Sequence, residues 1–228
     1  MKKFIIFVFF IVSIHAQTFA QAKSYADVSL AAGKNLFSGA LSYYRLHPVA
    51  FGGKFSVGYG LRYTGSTAGT QAYVTAPAEV SEGNFFKKQN EAKLDTLTLN
   101  AGQINSINAA IYLAYQLHPK WAIGFNIDAI GASWGSPQTG SLQSYGVKTA
   151  ESATVSPFNI LLTGDNDKGS LNSEAYLAYS LTPHLLLRGG ASFLFSEYTT
   201  NRKITTNFDN DKFRFKSLSP MLALSYQF

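Results

Sequence analysis

The chain has no cysteine among its 228 residues. Disulfides are therefore excluded even in an oxidising compartment, and so is lipid attachment at a cysteine. Charge is scarce as well. Asp, Glu, Lys and Arg make up 14% of the residues, against about 25% in ordinary soluble domains. The apolar run Phe4–Ile14 covers eleven residues, well short of the ~20 that a membrane-spanning helix needs. Neither a phosphate-binding Gly-rich loop nor a CxxC or HExxH pattern is present. The formal net charge is +6, and Lys2 and Lys3 supply part of it. That is a mild bias without the dense basic patch that nucleic-acid binding requires, so no nucleic-acid partner is expected.

What the chain does have is aromatic residues, 14% with 13 Tyr and 18 Phe, and 19 Gly. This composition points to one β-rich unit. The N-terminus reads as a cleaved secretory signal peptide over residues 1–22. Lys2 and Lys3 form a basic start, Phe4–Ile14 an apolar centre, and Ala20-Gln21-Ala22 a small-x-small cleavage site. Cleavage after Ala20 or Ala22 leaves a mature domain of about residues 23–228.

The mature chain alternates. Trp121, Ile123, Phe125, Ile127 and Ala129 share one parity, and Ala122, Gly124, Asn126 and Asp128 the other. A strand sends these sets to opposite faces. Phe55 through Tyr63 repeat the pattern against Lys54, Ser56, Gly58, Gly60 and Arg62. So do Leu171–Leu181 against Asn172, Glu174 and Tyr176, and Leu185–Phe195 against Arg188 and Ser192. Eight strands are predicted, at about 25–32, 36–46, 54–64, 104–117, 120–134, 171–182, 184–197 and 212–228.

The connections fall into two kinds. Tyr44–Pro48, Tyr115–Pro119 and Tyr179–Pro183 are three versions of one phrase. Each closes a strand with an aromatic and a Leu, then ends on a Pro that has no N–H for pairing. Pro48, Pro119 and Pro183 are thus expected in short turns. Gly33-Lys34-Asn35 is a further tight turn, while the stretches 65–103, 135–170 and 198–212 are expected as long loops. Short turns at one end and long loops at the other match an all-β, antiparallel up-and-down transmembrane β-barrel. A soluble sandwich also alternates, but it has no reason to sort its connections by length or to gather aromatics at strand ends.

The chain ends in "LSPMLALSYQF", in which Leu222, Leu224, Tyr226 and Phe228 alternate up to a terminal aromatic. This ending resembles the C-terminal strand signal of bacterial outer-membrane barrels, read by the barrel-assembly machinery. With the signal peptide and the repeated hairpins, the chain resembles a small outer-membrane β-barrel of the eight-stranded OmpA/OmpX-like type, and most of all the outer-membrane barrels of Bacteroidota. The resemblance implies an outer-membrane location, contact with outer-membrane lipid, periplasmic Pro turns and extracellular long loops. It brings no functional residues with it. No wall-anchoring domain of the OmpA kind is expected after the barrel. In the last strand Phe213 and Phe215 are odd-numbered, whereas the apolar residues from Leu218 onward are even. Either a bulge near 216–220 inverts the parity, or the two Phe lie above the bilayer.

An eight-stranded barrel is just wide enough for its side chains to fill. Asp27, Lys54, Arg62, Asp128, Glu174 and Arg188 have inward parity and are expected to pair there, because unpaired buried charge is costly. Two polar layers are expected: Asp27 and Arg188 low, with Lys54 near the bottom, and Arg62, Asp128 and Glu174 higher. Such an interior reads as a polar plug in preference to a pore or proton path. Of the four His, His15 lies in the signal peptide, and His47, His118 and His184 lie at the short turns. None is placed as a general base for an outer-leaflet lipid, so no enzyme is expected. Asp165–Gly169 and Asp209–Asp211 look like fragments of a calcium loop, but Tyr176 occupies the twelfth position, where the acidic ligand belongs. No catalytic, cofactor-binding or metal-ligating residue is predicted, and no cofactor. The expected role is structural or interactive, through the long loops and a possible protein partner in an outer-membrane complex. The alternatives are a narrow channel or carrier for small or hydrophobic molecules and, further off, a lipid-modifying enzyme.

Overall fold

The computed structural model describes residues 21–76, 94–144, 146–162, 166–204 and 210–228. Most of the signal-peptide segment, the charged residues between Glu79 and Lys93, and Asp165 and Asp209 lie outside these residues. Thirteen strands are described: β1 Lys23–Gly33, β2 Leu36–Ala50, β3 Phe55–Ala68, β4 Gln71–Thr75, β5 Thr96–Leu99, β6 Gly102–His118, β7 Trp121–Trp134, β8 Gln138–Ser144, β9 Val147–Val155, β10 Phe158–Ile160, β11 Leu171–Ser180, β12 Leu185–Ile204 and β13 Asn210–Gln227. All pairings between them are antiparallel.

Pairing closes on itself. It runs β1–β2–β3–β6–β7–β11–β12–β13 and returns to β1. This ring needs no edge strand, which removes the open row of N–H and C=O groups a sheet otherwise presents. The eight stretches predicted from alternation fall on these eight strands. The other five strands occupy segments that the sequence suggested were loops.

The turns β2–β3, β6–β7 and β11–β12 share one end, called the lower end below, with both chain termini, whereas the tight Lys34-Asn35 turn between β1 and β2 lies at the upper end. Pro119 and Pro183 lie in lower turns, between β6 and β7 and between β11 and β12. Pro48 does not. It sits within β2 opposite Ser56, next to a register shift. The turn is made instead by Phe51–Gly53, where Phe51, Gly52 and Gly53 all have positive φ. Glycine adopts that conformation without strain, so the hairpin closes at the two glycines and runs on past the proline.

The faces are inverted relative to a soluble protein. Outward positions carry large apolar side chains that stay exposed, among them Leu41, Leu61, Ile111, Ile123, Leu187 and Leu222. Inward positions carry Asp27, Arg62, Asn126, Asp128, Glu174 and Arg188, all buried. Aromatics gather outside near the strand ends. Trp121 and Tyr179 lie 4.6 Å apart and Tyr43 and Phe228 6.2 Å apart toward the lower end, with Tyr63 and Trp134 at 6.3 Å toward the upper.

The parity change in β13 is not a bulge. Its register with β12 is unbroken from Tyr226 to Lys212, and with β1 from Gln227 to Met221. Phe213 points inward with Ser219 and Met221 and is fully buried. The strand keeps its faces, and what changes is the chemistry of the inner face, which is apolar above the polar interior. A bulge does occur, but in β7. Ala109 faces Ile130 while Ala110 faces Asp128, so Ala129 is the extra residue. Outward parity changes from odd to even there, which separates Ala129 from the Trp121–Ile127 set.

Candidate functional site

The inside of the ring is built in three levels. At the lower level Tyr25, Tyr44 and Tyr112 stack, with centroids 5.0 and 4.1 Å apart. The Arg188 guanidinium lies 4.3 Å from the centre of the Tyr176 ring. These tyrosines have inward parity, and three of them are opposed by glycine: Tyr44 by Gly60, Tyr112 by Gly58, and Tyr176 by Gly124 and Gly190. A Cβ on Gly124 would run into the Tyr176 ring. Gly124→Val is expected to cost ~1–3 kcal/mol by overpacking. In a Tyr176→Ala background that cost should shrink. Equal costs in both backgrounds, measured by urea unfolding, would remove the packing explanation.

The middle level holds the charges. Arg188 donates to Asp27, with Glu174 3.7 Å away. Arg62 lies 3.4 Å from Asp128 and donates to Asn126 Oδ1 and to the Asn172 carbonyl. Asn126 donates to Glu174 at 2.9 Å, and Ser29 donates to the other Glu174 oxygen at 3.0 Å. Asp128 also accepts from Asn108 at 2.8 Å and from the Asn172 backbone N–H at 2.9 Å. Five of the six residues expected inside are therefore brought together. They form one network, with Glu174 joining the two ion pairs, and not two separate layers. Lys54 is the exception. It is exposed, because it follows directly on the Phe51–Gly53 turn, and its backbone N–H donates to Phe51.

The upper level is dry. A second closed circuit of pairings runs β12–β13–β4–β5–β8–β9 and back to β12. Each of its strands sends apolar side chains into one cluster. The cluster comprises Tyr73, Leu97, Leu99, Leu142, Ala153, Val155, Tyr198 and Phe213, and β6 adds Ile104. Tyr198 both donates to the Gln103 carbonyl and accepts from its N–H, tying the circuit to the ring. Burial pushes the Tyr73 phenol well above its ordinary value, and the neighbouring Tyr198 adds to the shift.

β10 completes the wall beside β7 and turns Asn159 inward. Asn159 donates to Asn108 at 2.8 Å and accepts from Ser133 at 2.9 Å and from the Ser170 N–H at 2.8 Å. Higher up, on the outer face, Glu197 and Arg214 face each other across β12 and β13 at 3.2 Å. Residues 167–170 cover this pair. Gly169 N–H donates to Glu197, and Arg214 donates to the Asp167 carbonyl. The Asp167 carboxylate itself accepts from Leu162 N–H at 2.6 Å. Asn210, of the other calcium-like fragment, is buried and hydrogen-bonds Thr75 and Lys212. Among the described residues no group of three or more His, Cys, Asp or Glu is placed to hold a metal.

His118 and His184 are exposed at the lower turns, and His47 stacks on Tyr59 in the lower part of β2. At the lower end a cavity of 110 Å³ is lined by Tyr25, Tyr44, Tyr176, Lys54 and Arg188. It has room for ordered water but is well below the ~300 Å³ at which ligand pockets begin. Sequence reasoning missed the tyrosine stack, the Asn partners and the Glu197–Arg214 pair. The first two could have been found, since they share the inward parity of the charges. Glu197 and Arg214 have outward parity and are buried only by a distant segment.

No family model and no curated protein sequence matches the chain. Among solved structures it is similar to Neisserial surface protein A, with a TM-score of 0.40, 9% identity, and coverage of 93% of this chain and 100% of that one. It is also similar to the Yersinia pestis outer membrane protein Ail, determined in a phospholipid bilayer nanodisc (TM-score 0.40, 13% identity, 91% and 100% covered). A third similar structure is a major outer membrane protein from Thermus thermophilus (TM-score 0.41, 13% identity, 92% and 100% covered).

Proposed function

We propose that the chain is an eight-stranded outer-membrane β-barrel without catalytic activity, whose extracellular part serves a structural or interaction role. One observation carries this reading. The closed ring exposes its large apolar residues outward and buries its ions within. In water that arrangement would leave an apolar surface far beyond the few hundred Å² a soluble monomer exposes. In a bilayer it satisfies every strand and solvates every face. Strand lengths support it too. β12 has 20 residues and β13 18, while a tilted span takes ~9–11, so both strands project beyond the bilayer on one side and carry the second circuit there.

The lower end is then periplasmic. Leu222, Leu224 and Tyr226 on the outer face of β13 and Phe228 just past its end, all exposed, would be read by the assembly machinery and then sit against lipid. The stacked tyrosines below and the apolar cluster above weigh against a conducting channel. His47, His118 and His184 sit at the end away from the outer leaflet, which weighs against lipid chemistry there. The extracellular circuit is where a protein partner would bind.

Two measurements test this. The wild-type protein should fractionate with outer membranes and migrate differently on gels before and after boiling, as a folded barrel does. In planar bilayers it should show no steady conductance. A protein found in the soluble fraction, or one that conducts steadily, would overturn the reading at its first or second step.

A further inference from the structure

The outer wall carries a furrow of about 540 Å³ that the packing of the ring does not use. It crosses β2, β3, β6 and β7 between two rows of outward side chains. Tyr43 and Arg45 stand at one end, Tyr59 flanks it, Gly60 and Ala109 make the floor, and Ala129 closes the far end. Its depth has a sequence cause. Two small outward residues, Ala109 and Ala129, fall together here among larger neighbours such as Leu61 and Ile111, and Ala129 is the bulge residue of β7.

Arg45 gives the furrow a direction. It is exposed, and its guanidinium has no ion-pair or hydrogen-bond partner among the described residues. It pairs in β2 with Ser24, whose carbonyl accepts from the N–H of the terminal Phe228. Arg45 is therefore level with the periplasmic rim in the barrel reading above, on which this inference rests. A cation at the rim, two tyrosines beside it and an apolar trough leading into the wall together match one amphiphile, an anionic head with an apolar chain. The volume lies within the ~300–1,000 Å³ typical of ligand sites.

We propose that the furrow seats a phospholipid of the periplasmic leaflet. Its phosphate lies against Arg45, where a guanidinium offers paired donors to phosphate oxygens. One acyl chain crosses Gly60 and Ala109 toward Ala129.

The test uses the full mature protein refolded in detergent, with dioleoylphosphatidylglycerol added as the probe and binding read by native mass spectrometry. The variants are Arg45→Gln, which removes the phosphate contact, and Ala109→Leu, which fills the trough. Ala191→Leu, an outward change on the far side of the ring, is the control. Each is first checked for the gel shift of a folded barrel. Wild type and Ala191→Leu should retain one lipid. Arg45→Gln and Ala109→Leu should each weaken retention roughly tenfold or more, as expected for a lost charge-assisted contact. Equal retention in all four proteins, or none in wild type, overturns the furrow site and leaves the barrel intact. A wild type that never folds into a membrane-like environment overturns the barrel reading and this site with it.

Discussion

Arg62→Ala should destabilise the protein by ~3–5 kcal/mol, the usual cost of breaking a buried ion pair from one side. Arg62 is fully buried and serves Asp128, Asn126 and the Asn172 carbonyl together. The network holds three carboxylates, Asp27, Asp128 and Glu174, against two guanidiniums. Removing one guanidinium leaves Asp128 buried without its counter-charge and Arg188 alone among all three acids. Arg62→Lys should fall between, because an ammonium keeps the charge but cannot reach three partners in one plane. Arg202→Ala is the contrast. Its pair with Glu151 is 3.0 Å long, but the Arg202 side chain is 69% exposed, so the cost should stay within ~1 kcal/mol. Urea unfolding of protein in lipid vesicles, followed by Trp121 and Trp134 fluorescence, measures all three. If Arg62→Ala costs no more than Arg202→Ala, the network contributes shape filling and no electrostatic support.

The second large effect lies in the upper circuit. Leu97 and Phe213 are fully buried in its cluster, and truncating either to Ala should cost ~2–5 kcal/mol. Leu97 belongs to β5, which among the described residues pairs only with β4 and β8. Its loss should therefore open the circuit without opening the ring, whose middle level is held by the ionic network. Hydrogen exchange reads this directly. In Leu97→Ala the amides of β4, β5, β8 and β9 should exchange roughly 30-fold faster or more, while those of β1, β2 and β3 keep their protection. Uniform loss across the chain would mean that ring and circuit unfold as one unit. No change would mean that the cluster adds little to the circuit's stability.

The two experiments separate features that differ in how far they were legible beforehand. Alternation of period two was enough to place the eight ring strands and to send Arg62, Asp128, Glu174, Asp27 and Arg188 to one face, because a strand's side chains have no third direction. It placed the tyrosines Tyr44, Tyr112 and Tyr176 on the same face too. Opposing glycines make room for their rings, a pairing that depends on register and so is not visible along a single strand.

Where the reading failed, something non-local decided. Lys54 has inward parity and lines the lower cavity, but at its mouth, exposed and outside the ionic network, since the Gly52-Gly53 turn and not Pro48 sets where pairing stops. For Phe213 the expected bulge fails, and of the two readings the one that sets it above the polar interior fits, because the inner face turns apolar there. The partners of Phe213, Tyr73, Leu97, Leu142 and Val155, come from segments between 58 and 140 residues away in sequence. The bulge at Ala129 did leave a mark in β7, where the large apolar residues move from odd positions (Trp121 to Ile127) to even ones (Ile130, Trp134), but small Gly131, Ala132 and Ser133 between them blur it.

By itself, then, the sequence determined the strand period, the inside-out sorting of polar and apolar residues, and the two classes of connection. Each of these follows from local chemistry: which side chain is next but one, and which residue can turn or cannot pair. The tertiary structure alone decided that Glu174 would join two ion pairs into one network, that the long connections would close into a second circuit, and that a furrow would open at Arg45. These depend on register between strands far apart in the chain, and register is set by the closure of the whole ring.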